Sequence, residues 1–241
     1  MNKACMEFVI KSLQDENFEG KRILEVGAYD HNGTVRPAFA GISPVEYIGI
    51  DIEAGPNVDE VCSVYELINR FGEGYFDLVI NTELLEHVED WRAAINQMKA
   101  VTKVGGLMIM TTRSHGFSYH GYPYDFWRYS YEDMKDIFSD SEILSLENDP
   151  IEPGVFIKVR KIKKESRNLN DISLFCILTG TRKEGLTAEE ISRTKSLPLK
   201  ELELLWYPPQ KRWYRRYIRT PWRHIEKAIS KLLKGNSSKA P

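Results

Sequence analysis

Three short apolar segments, each ending in polar residues, constrain the fold of this 241-residue chain more than any other feature. The segments Arg22–Val26, Tyr47–Asp51 and Phe76–Ile80 have the length and composition of buried strands. A segment with helical period, Asp90–Val101, follows the third and precedes a fourth strand, Leu107–Thr111. Strands that alternate with helices in this way predict an α/β fold with a doubly wound, mostly parallel sheet.

The flanking segments predict how this sheet is completed. Residues Glu142–Glu147 and Val155–Arg160, joined by a Pro-Gly turn, predict an antiparallel hairpin at the sheet edge. Before the first strand, Lys3–Asp15 predicts a short amphipathic helix whose buried face carries Met6, Ile10 and Leu13. We expect one main domain over residues 1–165, an edge strand and linker over 166–210, and a basic helical tail over 211–241.

The cysteines and the apolar stretches exclude several classes of protein. Cys5, Cys62 and Cys176 are far apart and have no spacing typical of a disulfide framework or a zinc site, so no metal site is predicted. The longest apolar stretch, around Ile172–Leu178, is far too short to cross a membrane. The composition therefore indicates a cytoplasmic protein.

The loop after the first strand has the composition of a nucleoside-binding loop. It reads Gly27-Ala-Tyr-Asp-His-Asn-Gly33, and Asp51 follows Gly27 by 24 residues at the end of the second strand. Glycines let a ligand approach the backbone, and an acid at the second strand end can accept hydrogen bonds from ribose hydroxyls. Because the loop lacks the GxGxxG pattern that seats a pyrophosphate, a nucleoside without phosphates fits better than a dinucleotide.

Five segments together resemble the class I S-adenosylmethionine-dependent methyltransferases, close to the type 11 methyltransferase group. They are ILEVGAYDHNG, YIGIDIEAGPNVDEV, FDLVINTELLEHVEDW, VGGLMIMTTR and YHGYPYDFWRY, within residues 20 to 160. The resemblance implies a Rossmann-like methyltransferase fold and S-adenosylmethionine as cofactor.

The same resemblance implies which residues bind the cofactor. The methionine part would contact Glu25, Gly27, Ala28, Asp30 and Gly33. Asp51, with its neighbour Ile52, would bind the ribose, and the sulfonium side would face Asn81, Thr82 and Glu83. Ser63 follows Cys62 where many relatives carry an acid near the adenine, which predicts binding of the adenine by apolar packing and backbone groups.

A segment rich in aromatic residues predicts the acceptor side. Residues Phe117 to Tyr131 hold eight aromatics in fifteen positions, and these are expected either to wall a pocket or to lie in the core. If the acceptor is a hydroxyl, a general base must take its proton. We predict His120 as the first candidate and His87 as the second, with Asp125 in a catalytic role or in a simple ion pair with Arg128.

Two other functions compete with methyl transfer. Ser118, Tyr131 and Lys135 reproduce the Ser and TyrxxxLys spacing of NAD(P)-dependent short-chain dehydrogenases and epimerases, although one such match is expected by chance. The other alternative is a non-catalytic nucleoside-binding module.

The charge of the chain is concentrated at its C-terminal end. Residues 211–241 carry ten Lys and Arg against one acid, Glu226, while the rest of the chain has a net charge of −11. A basic amphipathic helix here predicts peripheral contact with an anionic inner-membrane surface or packing against the acidic body, and nucleic acid is the less favoured partner. The resemblance implies a small-molecule or glycan acceptor, with a sugar hydroxyl in cell-surface polysaccharide synthesis as one case.

Overall fold

The structure, a computed structural model, describes residues 3–31, 33–121 and 124–196. The strands are β1 Arg22–Val26, β2 Glu46–Asp51, β3 Glu60–Val61, β4 Phe76–Thr82, β5 Thr102–Arg113, β6 Trp127–Arg128, β7 Ser141–Asn148, β8 Gly154–Lys161, β9 Leu174–Cys176 and β10 Thr181–Lys183. The α-helices are α1 Lys3–Leu13, α2 Leu67–Phe71, α3 Trp91–Val101, α4 Tyr131–Ile137 and α5 Ala188–Ser196, and 3-10 turns lie at Arg36–Phe39, Val64–Glu66 and Leu85–His87.

Seven strands form the main sheet in the order β3-β2-β1-β4-β5-β8-β7. The first five are parallel to their neighbours, while β8 is antiparallel to both β5 and β7. The predicted mostly parallel sheet with an antiparallel edge hairpin is therefore confirmed. The chain order reverses between β1 and β4, and in open α/β sheets the crevice outside the carboxyl ends of the strands at such a point binds ligands.

Alternate residues of the strands supply two separate cores. Ile23, Leu78 and Ile109 face the layer that contains α1, whereas Leu24 and Val79 face the layer formed by α3 and α4. Residues that alternate between two apolar layers must all be apolar, which explains why these strands read as continuous apolar runs.

Helix α1 is present and buries Leu13 and part of Met6 as predicted, but the prediction for Ile10 is wrong. Ile10 is 41% exposed, and the buried face is formed by Cys5, Phe8, Val9 and Leu13. These residues follow the i, i+3, i+4 spacing of one helical stripe, and the ring of Phe8 lies 5.3 Å from that of Phe156. The large Phe8 side chain sets the rotation of the helix, because burying an aromatic ring removes more apolar surface from water than burying Ile10 would.

A second, three-stranded sheet covers part of the main domain in the order β10-β9-β6. The strand predicted within 172–178 is β9, which lies in the middle of this small sheet rather than at the edge of the main one. Leu169 and Ile172 nearby are buried in the α3 core.

The first compact unit of the chain ends at Ser196. The basic tail at 211–241 lies outside the described residues, and the predicted domain boundaries remain predictions. None of the helices in the described part of the chain has the length and apolar character that crossing a bilayer requires.

Candidate active site

A cavity of about 290 Å³ opens at the carboxyl ends of β1, β2 and β4. Its lining is mostly apolar, with a few polar groups among the apolar side chains. The lining residues are Val26, Gly27, Ile50, Asp51, Ile52, Cys62, Ser63, Val64, Tyr65, Leu84, His87, Val88, Glu89 and Tyr124. The structure thus brings Gly27, Asp51, Ile52 and Ser63, four of the predicted cofactor residues, to one cavity.

At Gly27 the cavity is lined by backbone atoms, with no side chain. Its φ of +82° lies in the left-handed region, and a Cβ there would lie 3.3 Å from that of Leu84. Any other residue would be strained and would crowd Leu84, so glycine allows a ligand to approach the end of β1 closely.

Asp51 supplies the carboxylate of the cavity. One oxygen accepts the N–H of Tyr29 at 3.3 Å, and the other accepts the N–H of Glu53 at 3.2 Å. A carboxylate has about four acceptor positions, so this one is held in place and can still accept hydrogen bonds from two ribose hydroxyls. Ile52, Cys62 and Val64 lie beside it, which fits the flat apolar surface of an adenine. These residues fit the nucleoside half of S-adenosylmethionine.

The other predicted residues of the first loop lie outside the cavity lining. Glu25 is buried and its carboxylate accepts the hydroxyl of Tyr47 at 2.7 Å, while burial raises its pKa. Asp30 accepts the N–H of Gly33 at 2.7 Å and the side-chain amide of Asn57 at 3.2 Å. Ala28 is also buried. These contacts hold the first loop and the end of β1 in place from the side away from the cavity.

The residues predicted for the sulfonium side also lie behind the cavity wall. Asn81 is fully buried and donates its side-chain amide to the carbonyl of Val26 at 3.0 Å, which ties β4 to β1. Thr82 ends β4 in register with Thr111. Glu83 has a φ of +56° and forms an ion pair with Arg113. Burial and the nearby Glu86 charge raise the pKa of Glu83 to about 7.

Glu86, His87 and His120 form a cluster that reaches the cavity through His87. His87 lines the cavity, and its ring centroid lies 4.8 Å from that of His120. Glu86 is fully buried beneath them, and its Oε1 lies 3.8 Å from Nε2 of His87 and 3.7 Å from Nε2 of His120. The two predicted bases therefore lie together although 33 residues separate them in sequence.

Asp125 holds His120 from the opposite side. Its Oδ2 lies 3.0 Å from Nδ1 of His120 and also accepts the backbone N–H of that residue at 2.8 Å. Arg128 forms a buried ion pair with the same carboxylate. The ion pair with Arg128, one of the two roles expected for Asp125, is thus present, and its catalytic role remains a prediction.

These carboxylates decide the charge of His120. Burial opposes a charged imidazole, but the hydrogen bond with Asp125 and the neighbouring Glu86 outweigh it and raise the pKa of His120 to about 9. Protonated His120 has no lone pair with which to accept a proton, so its charge favours His87, the second candidate, over His120 as a base.

The aromatic segment is divided between the core and the cavity. Phe126, Trp127 and Tyr129 are fully buried, whereas Tyr124 lines the cavity. None of Ser118, Tyr131 and Lys135, the dehydrogenase-like set, lines the cavity. Sequence reasoning missed Leu84, Tyr124 and Glu86, and also Arg113, which is buried and pairs with Glu83 and Asp149. The only feature of the sequence that could have identified them is their position, because each lies at or after the carboxyl end of a predicted strand.

Comparisons with solved structures identify proteins with the same fold. A 1,6-didemethyltoxoflavin N1-methyltransferase from Burkholderia thailandensis, solved with S-adenosylhomocysteine, superposes with a TM-score of 0.52 at 15% identity over 67% of this chain and 80% of that one. Phosphoethanolamine N-methyltransferase 2 from Haemonchus contortus, solved with S-adenosyl-L-methionine, gives 0.51 at 14% identity over 66% of this chain and 52% of that one.

Sequence comparisons point in the same direction. Ubiquinone biosynthesis O-methyltransferase from Brucella anthropi is 27% identical over 129 residues, 49% of this chain and 52% of that protein. The protein of the same name from Cereibacter sphaeroides is 32% identical over 108 residues, 39% of this chain and 42% of that protein. The chain thus spans about half the length of these relatives, or less.

The methyltransferase domain family matches residues 1–145, more than half of the chain. This match includes β1 to β4, the cavity and the Glu86, His87 and His120 cluster. Neither the dehydrogenase nor the non-catalytic alternative is favoured. The chain therefore belongs to the methyltransferase domain family, and the resemblance of its sequence to the class I S-adenosylmethionine-dependent methyltransferases is confirmed.

Proposed function

We propose that this chain is an O-methyltransferase whose acceptor hydroxyl lies beside Glu86, His87 and His120. The observation that carries the proposal is the cavity itself. Gly27, Asp51 and His87 all line it, and the ring of His120 lies 4.8 Å from that of His87. A nucleoside subsite is thus adjacent to groups able to take up a proton or to stabilise negative charge on an oxygen.

S-adenosylmethionine, when bound, supplies a methyl group on a positively charged sulfur. A lone pair of the acceptor oxygen forms the new O–CH₃ bond as the C–S bond breaks, and the electrons of that bond remain on the sulfur. The proton of the hydroxyl must leave to a base or to water. The residues of this chain mainly align the two reactants and exclude water, and holding them in the correct geometry lowers the barrier by several kcal/mol, on the order of 7 to 11 at best.

The names of the sequence relatives support oxygen as the attacking atom. Both are called O-methyltransferases of ubiquinone biosynthesis, which makes a phenolic hydroxyl the first acceptor class to test. The sugar hydroxyl predicted from the sequence is the second class. Contact of the 211–241 tail with an anionic membrane surface likewise stays a proposal.

Titration calorimetry with S-adenosylhomocysteine tests the cofactor subsite. Asp51→Ala should weaken binding by about 1 to 3 kcal/mol, because it removes charge-assisted hydrogen bonds to the ribose. Asp171→Ala, at an exposed carboxylate outside the cavity, is the matched control and should leave the dissociation constant unchanged. Equal affinities for wild type and Asp51→Ala would contradict the assignment of Asp51.

The acceptor class is tested by methyl transfer from labelled S-adenosylmethionine to a panel of simple phenols, catechols and nucleotide sugars. Label recovered as a methyl ether supports O-methylation, and the acceptor that is labelled decides between phenol and sugar. Label recovered only on nitrogen or carbon from a matched amine or enol panel would overturn the proposed attacking atom.

A further inference from the structure

Hydrogen bonds at Nδ1 fix the orientation of the two histidines of the site and leave Nε2 of each ring available. His120 donates Nδ1–H to the carboxylate of Asp125 at 3.0 Å, and His87 donates Nδ1–H to the carbonyl oxygen of Tyr124. Both Nε2 atoms are thereby directed at Glu86. Histidines that bind metal ions are held in this way, with Nδ1 on a carboxylate or a backbone carbonyl and Nε2 free to coordinate.

Glu86 provides a second, independent observation. Its side chain is fully buried, and Oε2 accepts the hydroxyl of Thr112 at 2.9 Å. Its Oε1 has no hydrogen-bond partner among the described residues. A buried carboxylate oxygen without a hydrogen bond costs free energy, which the two imidazoles at 3.7 and 3.8 Å offset only in part, so a cation held among the three groups would stabilise it further.

The spacing of the three groups leaves room for such a cation. Oε1 lies 3.8 Å and 3.7 Å from the two Nε2 atoms, too far for hydrogen bonds, and one ligand atom from each residue lies within 4.8 Å of the others. Donor atoms about 2.0 to 2.1 Å from a tetrahedral Zn²⁺ lie roughly 3.3 to 3.4 Å from one another. Coordination would therefore require the Glu86 oxygen to approach each Nε2 atom by a few tenths of an ångström, and the most widely separated ligand atoms to approach one another by up to about 1.4 Å.

We propose that Glu86, His87 and His120 form a binding site for one divalent transition-metal ion, with an open coordination position toward the cavity. Two imidazoles and one carboxylate are a ligand set that suits Zn²⁺ and leaves its fourth position for a small molecule. The sequence did not indicate this metal site, because known ligand motifs consist of cysteines or histidines that are close together in the chain, whereas His87 and His120 are 33 residues apart.

The position of the site gives the ion a role that rests on the proposed function. His87 lines the cavity, so the open position faces the space where the acceptor hydroxyl is proposed to lie. An ion there would act as a Lewis acid and stabilise the negative charge that develops on the acceptor oxygen as its proton leaves to water.

The test uses the full chain, stripped with a chelator and titrated with Zn²⁺ by calorimetry. We expect one Zn²⁺ per chain and loss of affinity on the order of 100-fold or more in His87→Gln and in His120→Gln. Asp125→Asn, which removes only the group that orients His120, should weaken binding by about 10- to 100-fold. His115→Gln, at an exposed histidine outside the cluster, should match wild type.

Co²⁺ provides a readout on the wild type that does not depend on the folding of any variant. Bound at this site, it should show visible absorption bands that Zn²⁺ abolishes by competition. Absence of Zn²⁺ binding, or equal binding by wild type and both histidine variants, would overturn the inference.

Binding of S-adenosylhomocysteine to the same stripped protein separates this inference from the proposed function. Binding of the nucleoside without any binding of Zn²⁺ refutes the metal site alone. Binding of Zn²⁺ with no binding of S-adenosylhomocysteine refutes the cofactor subsite alone.

Discussion

At the scale of single residues, Gly121 decides how closely the loop after β5 approaches the site. A Cβ at this position would lie 2.7 Å from Nδ1 of His87 and 2.9 Å from the carbonyl oxygen of Tyr124. These atoms are the two partners of the hydrogen bond that orients His87. The absence of a side chain at Gly121 is therefore what allows the loop to hold the imidazole in place.

Gly121→Ala should displace the His87 ring and lower methyl transfer by about 10- to 100-fold, since misplacement of a reacting group by about 1 Å has effects of that size. Binding of S-adenosylhomocysteine should change much less, because Asp51 and Gly27 are untouched. Gly185→Ala is the control, as a Cβ there contacts nothing within 4 Å. Equal turnover in the two variants would show that the loop tolerates the methyl group without moving His87.

The residues that could be predicted from the sequence are those whose role follows from position alone. Gly27 directly follows β1 and Asp51 ends β2, and both strands are recognisable as apolar runs, so the place of these residues at the cavity follows from the topology of parallel sheets. Glu86 could not be recognised, because an acid beside a histidine at a helix start is equally consistent with capping. Its role depends on His120, which only the path of a long loop brings near.

At the scale of elements, a buried ion pair joins α3 to the start of β7. Lys99 donates to both oxygens of Asp140 at 2.8 and 2.9 Å and to the carbonyl of Ile137 at 2.6 Å. The side chains of Lys99 and Asp140 are only 2% and 4% exposed. Loss of either partner would leave a buried charge without compensation.

Asp140→Asn should lower the free energy of unfolding at pH 7 by about 3 kcal/mol, measured by urea denaturation. Burial opposes the charge of Asp140, but the hydrogen bond from Lys99 outweighs it and lowers the pKa of the carboxyl. A lowered carboxyl pKa contributes stability that is complete above the unfolded value of about 3.9 and is lost as the pH falls through the folded value.

The difference between wild type and Asp140→Asn should therefore shrink on acidification below about pH 4. Asp171→Asn, at an exposed carboxylate, should remain within about 0.5 kcal/mol of wild type at pH 7. A stability difference that is independent of pH would mean that Asp140 acts through its shape and not through its charge.

The elements that were predicted correctly have strong periodicity, and those that were missed do not. Helix α3 and strands β1 and β4 carry clear apolar patterns, and their observed bounds lie within two residues of the predicted ones. Strands β6 and β10 have only two and three residues. Two or three residues are too few to show an alternation of apolar and polar side chains. These segments are strands only because they pair with β9.

At the scale of the whole molecule, the cavity lining within the described part of the chain runs from residue 26 to residue 124, whereas the excess of positive charge lies at 211–241. Binding of the cofactor and binding to an anionic surface are therefore expected to be separable. A cluster of Lys and Arg near an anionic surface contributes about 1 kcal/mol per residue, which is sufficient for peripheral binding.

Deletion of residues 211–241 should abolish sedimentation with vesicles that contain anionic lipid and leave the affinity for S-adenosylhomocysteine unchanged. Vesicles of neutral lipid are the control for the wild type, and added salt should weaken binding because it screens surface charge. Vesicle binding by the truncated chain would place the contact elsewhere.

The reversal of strand order between β1 and β4 has a further consequence for how such a protein diverges. Gly27 and Asp51 follow strands on one side of this boundary, while His87 and His120 follow β4 and β5 on the other. With donor and acceptor bound as proposed, mutations on the second side would alter which acceptor is recognised while the groups around the donor stay intact. The protein encoded by a duplicated gene could therefore acquire a new acceptor while it still binds its methyl donor.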